Sequence, residues 1–86
     1  MKGVFTMNEE LFIRRSIYRE LFNDICADFS IYRLHNDIDE EFEEIEKSLW
    51  SCREKSIRMD YSDKPVFDNL LIKAQAFLIR KELFAT

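Results

Sequence analysis

The stretch from Ile38 to Met59, IDEEFEEIEKSLWSCREKSIRM, decides the fold. Its apolar positions are Ile38, Phe42, Ile45, Leu49 and Cys52, followed by Ser56 and Met59. The steps between them alternate four and three without a break. That is the heptad spacing of a helix lying against a neighbour at a shallow angle. The spacing predicts a helix over Ile38–Arg58, with turn and N-cap chemistry supplied by Asn36 and Asp37. Acids fill its first half and bases its second, which suits the helix dipole at both ends. Glu43–Lys47 and Glu54–Arg58 stand as i,i+4 pairs in the favourable order.

Upstream, Thr6-x-x-Glu9 has the form of a capping box and predicts a first helix over Met7–Leu34. Leu11, Tyr18, Phe22, Ile25, Phe29 and Tyr32 recur at helical steps, and Ile17 and Leu21 widen the apolar face to about half the circumference at 100° per residue. That face is too broad for a two-helix seam. Arg14, Arg15 and Arg19 border it, and their heads are expected to pair with the acidic second helix.

Downstream, Asp60–Lys64 reads as a polar connection, and Pro65 suits the first turn of a third helix running to Phe84. Here the apolar residues fall on two arcs. Val66, Phe67, Leu70, Leu71, Ala74, Phe77 and Leu78 form the broad one, and Ile72, Ala76, Ile79 and Leu83 form the other. Asp68, Gln75 and Glu82 separate them on one side, and Asn69, Lys73 and Arg80 on the other. A helix with two apolar faces needs cover on both.

The composition agrees. One glycine and one proline in 86 residues leave too few turns for a sheet. The expectation is an all-α, three-helix arrangement with a long first helix and an antiparallel helical hairpin, assembled as a homo-oligomer. Residues 1–86 are read as one helical domain with a short flexible tail over 1–6. Met7 stands where the helical pattern begins, so either methionine suits as the start.

Net charge is −4, unevenly placed. Residues 36–46 carry seven acids and no base, whereas residues 47–58 carry four bases and one acid. Such a balance argues against direct nucleic-acid binding, which depends on neutralising phosphates. No apolar run reaches the roughly 20 residues that span a bilayer, and the cytoplasm is the expected location.

Little points to catalysis. His35 is the one histidine, and it has no serine or cysteine at a motif spacing. With Gly3 as the single glycine there is no phosphate loop. Cys26, His35 and Cys52 reach a common metal only by tertiary convergence, and both cysteines lie on apolar faces. The chain is therefore expected to be no enzyme and to need no metal or cofactor.

Two features point to a protein partner. The block from Asp37 to Glu46 is either a solvated helix start or a row of carboxylates standing in for a phosphate backbone. Asp39, Glu40, Glu43 and Glu46 are its candidate contacts. Trp50 and Ile57, seven residues apart, point away from the Ile38–Cys52 seam and are flanked by Glu43, Glu46, Arg53 and Glu54. They form either a binding hot spot or a contact under the third helix or the tail. Ile72, Ala76, Ile79 and Leu83 are the candidate oligomer interface. Size, acidity and helicity together suggest a non-catalytic regulator of a DNA-binding protein, of antirepressor or DNA-mimic type. An immunity protein or antitoxin, and a structural subunit of an assembly, are the alternatives.

Overall fold

The structure, a computed structural model, describes residues 6–84, with Met7, Leu83 and Phe84 described by their helical backbone alone. It is all-α: α1 (Met7–His35), α2 (Glu40–Lys55) and α3 (Lys64–Phe84), with short 3-10 turns at Ser56–Arg58 and Tyr61–Asp63. The expected three helices are all present.

Each helix starts where the local chemistry satisfies its first amides. Thr6 caps α1, and its hydroxyl accepts from the Glu9 amide at 3.2 Å in a complete capping box. For α2 the expected cap is displaced. Asp39, not Asn36 or Asp37, accepts from the Phe42 amide at 2.8 Å, and the helix begins at Glu40. Asn36 instead closes α1, its side-chain amide donating to the Tyr32 carbonyl at 3.1 Å. The cause is Ile38, which packs on the core and holds the chain extended for two further residues.

The other end of α2 also differs from expectation. The helix stops at Lys55 and tightens into the Ser56–Arg58 turn, where the Ser56 hydroxyl donates to the Arg53 carbonyl at 2.6 Å. The seam nevertheless continues through this change, and Ser56 and Met59 are both fully buried. The connection after it is a capped turn rather than plain coil, because Asp60 and Asp63 cap each other's amides. α3 then starts at Lys64, one residue ahead of Pro65.

Ring contacts fix how the helices lie. Tyr18 and Phe22 meet Phe67 near the start of α3, whereas Phe29 and Tyr32 meet Phe77 towards its end. Phe42 stacks on Phe29 at 5.0 Å and on Tyr32 at 5.3 Å. The core thus has a small ring cluster around Phe67 and a larger one at the Phe42 end, which Ile25, Ile45 and Leu49 continue.

Bases and acids roof that aromatic end. Arg33 pairs with Glu46 at 2.5 Å, Arg80 with Glu41 at 2.6 Å and Lys81 with Asp39 at 3.2 Å. Arg33 also lies over the Phe42 ring, and Arg80 and Lys81 over Phe77. These interhelical pairs replace the expected Glu43–Lys47 and Glu54–Arg58 pairs, neither of which forms. Arg58 sits in the 3-10 turn, where the i,i+4 geometry of an α-helix is lost.

The arginines of α1 are corrected too. The beginning of α1 lies beside the end of α2, not its acidic start, so their heads find other partners. Arg15 donates to the Met59 carbonyl at 2.8 Å, and Arg14 lies over the Tyr61 ring.

The apolar face of α1 is only partly covered. Ile17 is 51% and Leu21 41% exposed, and Val66 on the broad apolar arc of α3 is 59% exposed. Phe12 and Ile13 are also exposed. At 1.5 Å per residue α1 is about 44 Å long and α2 about 24 Å, so α2 is too short to cover all of α1.

Asp39 and Asp68 give the fold an acid response. The Phe42 amide and Lys81 hold the Asp39 carboxyl below its ordinary value of 3.8. Lys64 and the Tyr18 hydroxyl do the same for Asp68. The unfolded chain therefore takes up these protons first as pH falls. Their contribution is complete above 3.8 and disappears as pH drops through the lower folded values. Chemical denaturation between about pH 5 and pH 2 should show stability falling with acid. Asp39→Asn/Asp68→Asn should flatten that slope; an unchanged slope would assign it to other carboxylates.

Candidate functional site

Trp50 is placed by the heptad seam of α2. With Phe42, Ile45, Leu49 and Cys52 turned into the core, helical geometry turns Trp50 off the buried seam. It is 44% exposed. Residues 1–5 of the tail, the other possible cover, are outside the described residues. The Arg53 guanidinium lies over the indole, 5.2 Å from its centre, and its Nε donates to the Asn23 side chain of α1. A fixed cation thus lies over one face of the ring, while a large part of the residue stays exposed.

Ile57 is half exposed on the same stripe. It shares a shallow depression with Arg19, Arg53, Glu54 and Arg58. Glu54 and Arg58 also line a depression beside Trp50, so the two apolar side chains are joined through a common ionic rim. The surround is more basic than the sequence reading gave. Arg19 arrives from α1, and Glu46 is half-buried and paired with Arg33. Linear spacing could not reveal Arg19, because it comes from another helix.

The acidic block divides in two. Asp39, Glu41 and Glu46 are tied into interhelical ion pairs, and Asp39 also caps α2. Among the described residues, Asp37, Glu40, Glu43 and Glu44 are exposed and carry no ion pair. The outer surface of α2 is therefore acidic over its first half and basic over its second, with Trp50 at the boundary.

A second surface lies on α3. Ile72 is 64% and Ile79 58% exposed, and Ala76 between them is exposed as well. The Leu83 side chain lies outside the described residues. Ile79 also faces Ile31 of α1 across an open groove of about 720 Å³ whose rim includes Asp28, His35 and Glu82. Sequence reading missed this groove, although Ile31 and Leu34 stand off the main apolar face of α1, where burial could not be assumed.

Nucleophile and metal chemistry find little to build on. Burial pushes both the Cys26 and Cys52 thiols up, which keeps them protonated at neutral pH, and they pack as small apolar side chains. Among the described residues no group of three His, Cys, Asp or Glu side chains converges on a common point. No helix in that range is long and apolar enough to cross a membrane.

The fold and surfaces define a three-helix all-α bundle with uncovered apolar faces. No family model matches the chain, and no curated protein or solved structure does so either.

Proposed function

We propose that this chain is a non-catalytic regulator that binds and sequesters a specific protein through the surface around Trp50 and Ile57. One observation carries the proposal. A half-exposed tryptophan is held in place by Arg53 and Asn23 instead of being drawn into the core. Tryptophan and arginine are the residues most enriched at binding hot spots, and pre-ordering the pair lowers the entropy lost when a partner docks.

The favoured target is a nucleic-acid-binding protein with a basic surface, which makes the chain an inhibitor of antirepressor or DNA-mimic type acting in the cytoplasm. Asp37, Glu40, Glu43 and Glu44 support this, being exposed carboxylates with no cation partner among the described residues. Since the other acids of the block are paired internally, the row serves to steer the encounter while Trp50 and Ile57 anchor the complex. Immunity proteins and antitoxins that cover basic nuclease surfaces need the same arrangement.

A second reading, an assembly subunit, is favoured by the uncovered α3 stripe. Here the α2–α3 pair is an antiparallel hairpin that presents Ile72, Ala76, Ile79 and Leu83 to further copies in a homo-oligomer.

Salt separates the two. The test is to capture a partner from the native cell with tagged protein, then measure its association rate at rising ionic strength. An acid-steered inhibitor should associate about tenfold more slowly when salt rises from about 0.05 M to 0.5 M. A rate indifferent to salt would favour the apolar assembly and remove the steering role of the acids.

A further inference from the structure

We infer that α3 forms a parallel, in-register dimer seam with α3 of a second copy of this chain. The inference rests on the self-association reading above and adds the orientation and the pairs that set it. Ile72, Ala76 and Ile79 follow steps of four and three, which Asn69 precedes and Leu83 extends in sequence. On the helical wheel this row lies nearly opposite the Phe67–Ala74 row that enters the core. Two copies can therefore meet along α3 with their own bundles on opposite sides.

Charge selects the second copy and its direction. Asp68, Gln75 and Glu82 flank the seam on one side, and Lys73 and Arg80 flank it on the other. In a parallel two-stranded seam a residue on the first flank faces the residue five positions on in the other strand. That sets Asp68 against Lys73 of the second copy, and Gln75 against its Arg80, twice by symmetry. An antiparallel seam instead pairs like flanks. In the register that buries most of the stripe, Lys73 then faces Arg80 of the second copy, also twice.

Asp68 and Arg80 already have partners within the monomer, so the seam contacts add to those pairs. Lys73 is exposed and makes no ion pair among the described residues. Asp68 is bound to Lys64 and the Tyr18 hydroxyl, which hold its carboxylate in place while its side chain stays 36% exposed. Arg80 is paired with Glu41 but remains half exposed, and Gln75 asks only for a hydrogen bond. Asn69 falls in one seam layer, where a single polar residue sets register and strand number, and Ala76 in the next permits close approach. The two isoleucines sit in layers where β-branching packs less well between two parallel strands. The dimer is consequently weak, with Kd in the micromolar range.

Sedimentation equilibrium of the full chain at low salt tests this. The wild type should pass from monomer to dimer as concentration rises from micromolar to submillimolar. Ile79→Glu should remain monomeric with an unchanged helical circular dichroism spectrum. Lys73→Glu puts a carboxylate opposite Asp68 and should raise Kd about tenfold, an effect that fades in high salt. Since Lys73 is exposed and makes no ion pair among the described residues, this variant also keeps the test open if Ile79→Glu does not fold.

A Lys73→Glu dimer as tight as the wild type, or tighter, overturns the parallel orientation. A wild type that stays monomeric, or a dimer indifferent to Ile79→Glu, overturns the seam itself. Neither result touches binding at Trp50, which is measured with the captured partner.

Discussion

Phe42→Ala should cost about 4 kcal/mol of folding stability, the loss typical of emptying a buried phenylalanine site. Phe42 is fully buried and touches the rings of Phe29, Tyr32 and Phe77 from the start of α2. It is the ring that α2 contributes to the cluster in which all three helices meet at that end, so its removal leaves a cavity between them. The Arg33 guanidinium above it also loses its support. At roughly 0.05–0.15 kcal/mol per residue, a chain of this size holds on the order of 10 kcal/mol in all. The variant therefore gives up a large part of its stability. Urea denaturation followed by circular dichroism reads this directly, with a much lower midpoint and little change in slope. Leu34→Ala, at an 80% exposed position, is the control and should change stability by less than about 0.5 kcal/mol. A Phe42→Ala loss below about 1.5 kcal/mol would show that the aromatic cluster is not the organising centre.

The contrast between α2 and α1 shows how much of this architecture was legible in the sequence. Along α2 the seam positions Phe42, Ile45, Leu49, Cys52, Ser56 and Met59 are all buried. A narrow row facing two neighbours leaves periodicity only one interpretation. On α1 the same logic made Ile17 and Leu21 part of a broad apolar face, and both are exposed. Apolar spacing reports which residues avoid water, not whether this chain or another supplies the cover.

Caps and charges failed for a related reason. Asn36, Asp37 and Asp39 can each cap a helix, and the choice fell to Asp39 because Ile38 had to reach the core. Glu43 and Lys47 had the spacing for an ion pair. The pairs that formed run between helices instead, from Arg33, Arg80 and Lys81, and their partners follow from packing that no local spacing encodes. At the candidate site the Trp50–Ile57 stripe was legible from a seven-residue step, whereas Asn23 and Arg19 entered only through the packing of α1 on α2.

Trp50→Ala and Ile57→Ala should each weaken binding of the captured partner by more than about 1 kcal/mol, and together by more than either alone. Both side chains are about half exposed, so the free protein loses little when they are truncated. Arg53 keeps its bond to Asn23 without the indole, and the seam of α2 is untouched. The two effects should not add fully, because Glu54 and Arg58 border both positions. Measured side by side, partner affinity and urea stability separate the two roles that an apolar pair can play. A hot spot loses affinity and keeps its fold, with unfolding free energy changed by less than about 1 kcal/mol. The opposite pattern, intact affinity with a large loss of stability, would assign Trp50 and Ile57 to packing and move the binding surface elsewhere on the bundle.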